Sequence, residues 1–401
     1  MNEKRSQCLI CHGELTPCLR VENAPASAQN IPTPEQAAAD QPITLELCQC
    51  ASCGLVQLDV SPVDYYRDVI RAGGGSTTMK ALRTEEYTRL LELLGERGLH
   101  ECRVVEVGCG RGEFLRMWRD VKRFNGLPEP FVCGIEHSPS AVAQAVRDGL
   151  NVSEGFPEGD YTLPGSPFDA FVQFNFLEHQ PDPLDMLNSI RRALRPGGLG
   201  LVTVPSLEYI LRHDGYYELI RDHIAYYTKE TLKALFERAG FTVLEQRVIN
   251  QDTLEIIVEN SPGTPCETPT PKVERIDLCR LEEGRMRLAR QIRTHIDALA
   301  RSGKRMAMWG ASHQGFTFAA TMALGSGVAY IIDSAPFKQG RVAPASHIPI
   351  VAPEYFYNHP VDEILIVAPG YTREIASIIR EKYGESVEIY VLKSETIEVF
   401  S

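Results

Sequence analysis

The 401-residue sequence has no apolar run of the roughly 20 residues that a membrane-crossing helix needs. Its opening residues, Met1-Asn2-Glu3-Lys4-Arg5, do not lead into the apolar segment of a secretion signal. A basic surplus is missing as well. Lys and Arg number 41 against 53 Asp and Glu, a formal net charge of -12, which argues against a nucleic-acid polyanion as the main partner. Short basic pairs such as Arg191-Arg192 and Lys304-Arg305 read as solvated helix faces. These absences point to a cytoplasmic globular protein with neither nucleic acid nor membrane as partner; a monomer or homodimer is expected, and the sequence does not choose between them. Its length exceeds one ordinary core, so two or three domains are expected.

Eleven cysteines in a reducing compartment suggest metal binding rather than disulfides. Cys8-Leu9-Ile10-Cys11 and Cys50-Ala51-Ser52-Cys53 are two C-x-x-C knuckles. Each brings two thiolates within reach of one ion, and together Cys8, Cys11, Cys50 and Cys53 make a closed, all-thiolate tetrahedral set, the structural zinc pattern. Such a staple suits residues 1–60, where apolar content is low. Between the knuckles, residues 23–41 are Ala/Pro-rich and read as loop. Residues 61–99 read as a connector. Tyr65 to Ser76, with tyrosines, arginines and three successive glycines, is either a lid or a flexible link, and a helix follows near residues 80–96.

The stretch that organises the chain is Val104-Val105-Glu106-Val107-Gly108-Cys109-Gly110-Arg111-Gly112. An apolar strand entering alternating glycines is the first strand-turn of a nucleotide-binding α/β unit, where glycine permits a sharp turn and close approach to a ligand. The G-x-G-x-G spacing differs from the dinucleotide fingerprint. Glu106, two residues before the first glycine, suits a cationic ligand better than a pyrophosphate. S-adenosylmethionine, with an ammonium and a sulfonium, is such a ligand. A second strand, residues 131–135, ends at Glu136, where a carboxylate can hold both ribose hydroxyls. A third, residues 168–174, leads into Asn175-Phe176-Leu177-Glu178-His179, with Asn175 a further cofactor contact. Arg195-Pro196-Gly197-Gly198 then turns into a strand over residues 199–204. On these landmarks the core, residues 100–260, resembles the class I S-adenosylmethionine-dependent methyltransferases.

A Pro/Thr-rich break begins at Ser261-Pro262-Gly263, and residues 261–302 read as a linker with a charged bridging helix. Residues 303–401 repeat the α/β pattern: Met306-Ala307-Met308-Trp309-Gly310 enters a glycine turn, a second strand ends at Asp333, and a third spans residues 363–368. A zinc module, a class I core and a C-terminal Rossmann-like unit, in that order, resemble the nucleotide-sugar C-methyltransferases of deoxysugar biosynthesis. Trp309-Gly310-Ala311-Ser312 and Ile332-Asp333-Ser334-Ala335-Pro336-Phe337-Lys338-Gln339-Gly340 carry the C-terminal part of the match. The resemblance implies an α/β fold and methylation at C3 of a nucleoside-diphosphate-linked 4-keto-6-deoxysugar.

The same resemblance implies His223 as the base, Asp222 where relatives carry Glu, and His179 near the enolate oxygen. Two positions depart from the family pattern. Ile220 stands where a tyrosine is usual, and residues 70–76 replace a Tyr-x-Tyr-x-Ser-Ser stretch. An O- or N-methyltransferase, or a non-catalytic scaffold, are the alternative readings.

Overall fold

The computed structural model describes residues 5–68, 77–99, 101–118, 121, 130–261, 273 and 275–400. Of the sequence expectations, lid residues 69–76 and the Pro/Thr-rich break over 262–272 lie outside these. Where the sequence suggests consecutive blocks, the chain divides into two interleaved compact units. The first comprises Met1–Thr16, Gln49–Leu207 and Ile224–Arg275, and the second Pro17–Cys48, Glu208–His223 and Ile276–Ser401.

Strands β1 (Leu15–Ala24) and β2 (Ile43–Cys50) are neighbours and belong mostly to the second unit. The expected loop between the knuckles holds one short 3-10 turn, Pro34–Ala39. In the first unit β3 (Val56–Leu58) is followed by helix α1 (Thr77–Glu96) and β4 (Arg103–Val107). Then come β5 (Phe131–Glu136), α2 (Pro139–Arg147), β6 (Val152–Glu154), β7 (Phe168–Phe174), α3 (Pro183–Arg192) and β8 (Leu194–Pro205). The unit closes with β9 (Ala225–Tyr226), α4 (Lys229–Arg238), β10 (Phe241–Ile249) and β11 (Thr253–Asn260).

Seven of these strands form one sheet in the order β10-β11-β8-β7-β4-β5-β6. β6, β5, β4, β7 and β8 pair in parallel, and β11 runs antiparallel to both β8 and β10. The order reverses direction beside β4, the switch point at which open α/β sheets bind ligands over their strand carboxyl ends. All seven side chains of β7 are buried, as a central strand covered on both faces requires.

On β4 the side chains alternate between two cores. Val104 packs with Tyr87, Leu90 and Leu94 of α1. Val105 and Val107 pack with α3, α4, the knuckle residues Cys8, Leu9, Ile10 and Cys50, and with Ile224 and Tyr227. The cysteine module therefore shares one core with the face of the switch-point strand.

The turn expected at Arg195-Pro196-Gly197-Gly198 is a bulge within β8. Leu194 stands opposite Phe168 and Leu199 opposite Ala170, so the extra residues loop out of the ladder. Helix α4 begins as its sequence dictates: the Thr228 hydroxyl accepts the Thr231 N–H at 3.1 Å, a capping box.

In the second unit, α5 (Cys279–Ser302) precedes β12 (Met306–Trp309), α6 (His313–Thr321), β13 (Ile331–Ile332) and β14 (Ile350–Val351). It ends with β15 (Glu363–Ile366), α7 (Thr372–Tyr383), β16 (Glu388–Lys393) and β17 (Thr396–Val399), in a sheet ordered β14-β13-β12-β15-β16-β17. Residues of the Pro17–Cys48 segment bind this unit's own loops: Val342 N–H donates to Pro32 O at 3.0 Å, and Ala345 N–H to Asp40 Oδ2 at 2.6 Å.

Candidate active site

Sequence places Glu106 on β4, one residue before the strand ends, and its carboxylate is fully buried there. The chain then turns through Gly108, Gly110 and Gly112, all left-handed at φ +71°, +57° and +77°. Gly108 N–H donates to Ile135 O at 2.9 Å, which ties the turn to β5. A Cβ on Gly108 would press on the Phe176 ring at 3.2 Å, whereas among the described residues one on Gly110 would meet only Glu113 Oε2, at 3.5 Å. Gly110 is thus the glycine whose missing side chain leaves open space.

Glu136 ends β5 beside this turn. Its Oε2 accepts the Gly110 N–H at 2.7 Å and its Oε1 the Ser138 N–H at 2.9 Å. Two backbone donors fix the carboxylate over the strand end. Asn175 follows β7 with a left-handed backbone, φ +46°. Its N–H donates to Thr203 O at 2.9 Å and its Oδ1 accepts the Thr203 hydroxyl at 3.1 Å. Glu106, the three glycines, Glu136 and Asn175 therefore stand together around the switch point of the first unit.

Tyr66, Arg67 and Asp68 pack at the same edge. Arg67 forms two bonds of 2.8 Å to Glu158, Asp68 meets His137 Nδ1 at 2.9 Å, and Tyr66 contacts Phe156 edge-on. Phe156 in turn meets Phe176 with ring centroids 6.1 Å apart.

Leu177–His179 is a single 3-10 turn, with Glu178 and His179 both buried. His179 Nε2 lies 3.9 Å from Glu178 Oε1. The Glu178 carbonyl accepts the N–H of Ile224 at 3.0 Å. Ile224 is the residue after His223. His223 is half-buried and its own N–H donates to Ile220 O at 3.3 Å. Asp222 is buried, and its Oδ2 accepts the Ala28 N–H at 2.8 Å within the second unit.

Cys8, Cys11, Cys50 and Cys53 converge with all four Sγ atoms within 4.8 Å of one another. Tetrahedral zinc with bonds of about 2.3 Å requires sulfurs about 3.8 Å apart, so the set fits. Both knuckles share one local geometry. His12 N–H donates to Cys8 O at 3.0 Å and Gly54 N–H to Cys50 O at 3.1 Å, with His12 and Gly54 in the left-handed region. Backbone N–H groups of Ile10, Ser52 and Cys53 point at the sulfurs at 3.3 to 3.4 Å. Hydrogen bonding from Cys53 leads the effects that draw the Cys8 thiol down to about 5, while burial pushes Cys11 up to about 11.

Tyr227, within the run Tyr216 to Thr228 that is dense in titratable and aromatic side chains, is fully buried between these groups. Burial pushes its phenol well above the usual value, and the charges of Glu178, Cys8 and Cys53 push the same way. Gln57 is not singled out by the sequence, although it interrupts the apolar run Leu55-Val56-Gln57-Leu58, and the structure gives its side chain bonds to the backbone beside Cys8.

The family models match in two blocks. Residues 79–246 match a methyltransferase domain and residues 279–391 a C-methyltransferase C-terminal domain. C-methyltransferase NovU of Streptomyces niveus is 25% identical over 92% of this chain and 91% of its own length. The chain is an S-adenosylmethionine-dependent C-methyltransferase. A protein of Mycolicibacterium smegmatis named "Probable S-adenosylmethionine-dependent methyltransferase" is 30% identical over 33% of this chain and 51% of its own. A solved S-adenosylmethionine-dependent methyltransferase from Clostridium acetobutylicum overlays with TM-score 0.36 at 11% identity, covering 44% of this chain and 92% of that one. No helix among the described residues of this methyltransferase is long and apolar enough to cross a membrane.

Its second unit repeats the turn-and-acid arrangement. Ala311 N–H donates to Asp333 Oδ2 at 3.0 Å, as Gly110 does to Glu136. Here the acid is also paired internally: the Lys338 ammonium lies 3.2 Å from Asp333 Oδ2 and donates to Ala311 O at 2.8 Å.

Proposed function

We propose that this methyltransferase methylates C3 of a nucleoside-diphosphate-linked 4-keto-deoxysugar, with His223 as the general base and a structural zinc ion held by Cys8, Cys11, Cys50 and Cys53. The observation that carries the reading is the Ile224–Glu178 backbone bond. It ties the segment just after His223 to the turn that follows β7, at the edge of the sheet that bears Glu106, the glycine turn and Glu136. Those groups suit S-adenosylmethionine: Gly110 leaves room for close approach, Glu136 can hold ribose hydroxyls, and Glu106 places negative charge near a cationic donor.

When bound, that cofactor supplies an electrophilic methyl on a sulfonium, which departs as a neutral thioether. The 4-ketone acidifies the C3–H, and an imidazole nitrogen of His223 takes that proton. The electron pair left behind spreads over C3 and the ketone oxygen, then forms the new C–C bond to the methyl. His179, oriented beside Glu178, steadies the oxygen while it carries charge. Asp222, fixed to Ala28, holds the loop from which His223 projects.

The test is His223→Ala with labelled cofactor and a panel of keto-sugar nucleotides. Loss of a general base lowers turnover by about 100- to 10,000-fold with cofactor binding intact. NMR of the product should place the methyl on carbon next to the ketone. Wild-type turnover in the variant, or a methyl on oxygen or nitrogen, would overturn the proposal.

A further inference from the structure

Ile224 is held from both sides. Its N–H binds the Glu178 carbonyl, and its carbonyl accepts the Leu58 N–H, also at 3.0 Å. Leu58 ends β3, which begins three residues after the second cysteine knuckle and pairs antiparallel with β9, Gln57 opposite Ala225 and Val56 opposite Tyr226. The strand that leaves the metal module is therefore the strand that grips the residues after His223.

Gln57 joins the two. Its side chain is fully buried, with Oε1 accepting the Leu9 N–H at 2.9 Å and Nε2 donating to Gln7 O at 3.4 Å. Gln7 and Leu9 flank Cys8. A primary amide buried in a β-strand among apolar neighbours is costly unless both ends are bonded. Here both ends meet backbone of the first knuckle, whereas a purely packing role at this position would be filled by Leu or Val. Tyr227, two residues beyond Ala225, packs in the same core as Cys8 and Cys50. The metal module, β3 and β9 thus form one continuous hydrogen-bonded and packed path.

We propose that Gln57 is a positioning residue for methyl transfer, coupling the four-cysteine module to the backbone that places His223. This rests on the reading of His223 as base. It makes the zinc module part of the catalytic geometry rather than a remote staple.

The experiment compares wild type, Gln57→Leu, Gln57→Met and His223→Ala for steady-state kinetics, metal content and amide hydrogen exchange. Displacing a reacting group by about 1 Å costs about 100-fold in rate. Gln57→Leu and Gln57→Met should therefore lower kcat tenfold or more, with KM for S-adenosylmethionine unchanged and one zinc per chain retained. Exchange at the amides of Leu58 and Ile224 should quicken. Removing zinc from wild type with a chelator should quicken exchange at the same two amides while cofactor binding persists, a readout that does not depend on the variants folding. Wild-type kcat in both Gln57 variants, or a loss of kcat that tracks loss of zinc or of cofactor binding, would overturn the proposal. If His223→Ala retained wild-type turnover, the base assignment would fail while the exchange results still decided whether the coupling exists. If His223→Ala were inactive and the Gln57 variants fully active, the coupling alone would fail.

Discussion

The glycine turn rests on β5, and a size swap between the two shows how closely. A Cβ added to Gly134 would lie 2.4 Å from Cys109 Sγ, 2.9 Å from Leu115 Cδ1 and 3.0 Å from Cys109 Cβ, where ordinary contact begins at 3.4 Å. Cys109 sits between Gly108 and Gly110, and its N–H is tied to Ile135 O at 3.2 Å, so it cannot simply withdraw. Gly134→Ala must lift the turn by about the missing ångström. Overpacking of this kind costs about 1–3 kcal/mol. The lifted turn also carries the Gly110 N–H away from Glu136, and cofactor affinity should fall about tenfold, equivalent to about 1.4 kcal/mol. Cys109→Ala alone leaves a small void costing about 1 kcal/mol. In the double variant the added methyl occupies the space left by Sγ, so the two losses should not add, with a favourable coupling of about 1–2 kcal/mol. Denaturant unfolding measures the stability cycle, and calorimetric titration with S-adenosylmethionine measures the affinity cycle. Strict additivity in the first, or an undiminished affinity in Gly134→Ala, would refute the claim that β5 sets the height of the turn.

Three further outcomes are expected. Glu136→Gln turns one of its two acceptors into a donor facing a backbone N–H, so S-adenosylmethionine should bind about tenfold or more weakly in the same titration, a loss typical of one charge-assisted bond of about 1.5–3 kcal/mol. Glu86 of α1 is buried against Arg83, and burial outweighs that pairing, raising its carboxyl from 4.5 to about 8. The folded protein therefore holds a proton that the unfolded chain releases, so this group's contribution falls as pH rises from about 4.5 to 8, and Glu86→Gln should flatten that part of the unfolding-versus-pH curve. Cys50→Ser should lower zinc content measured by atomic absorption, and the melting temperature with it, because a closed thiolate site contributes its binding energy to folding; unchanged metal content would remove Cys50 from the ligand set.

What the sequence disclosed was local. Two thiolates three residues apart, a strand running into glycines, an acid at the end of the next strand and a Thr-x-x-Thr helix start each state their geometry within a few residues. The four sulfurs, the left-handed glycines, the Gly110–Glu136 bond and the Thr228 cap follow directly from them. The strand over Phe168–Phe174 was legible for the same reason: three phenylalanines with alanine and valine make a short, mostly apolar run, and seven residues are too few for a buried helix. The β8 bulge was not, because Arg195-Pro196-Gly197-Gly198 has the composition of a turn whether or not the strand resumes in the same ladder.

The interleaving of the units was hidden for a deeper reason. Glu208–His223 reads as a continuation of the methyltransferase core, yet it groups with the C-terminal sequence because its buried groups find their partners there. Glu218 Oε2 lies 3.2 Å from His313 Nε2, and its Oε1 accepts the Gln314 side-chain amide at 2.5 Å. The same holds for β3 and β9. Three residues and two residues are too short for periodicity to identify either strand, and their pairing depends on a partner far away in sequence. Yet the composition did contain a clue. Gln57 interrupts the apolar run Leu55-Val56-Gln57-Leu58, and a polar amide in a strand that is otherwise fully buried implies a bonded partner. That partner is the backbone beside Cys8, and its position ties the chemistry of the knuckle to the residue following His223. A buried polar side chain in so short a strand is thus the local trace of a long-range constraint, and replacing it tests that constraint more sharply than removing the metal, which would disturb everything the module touches.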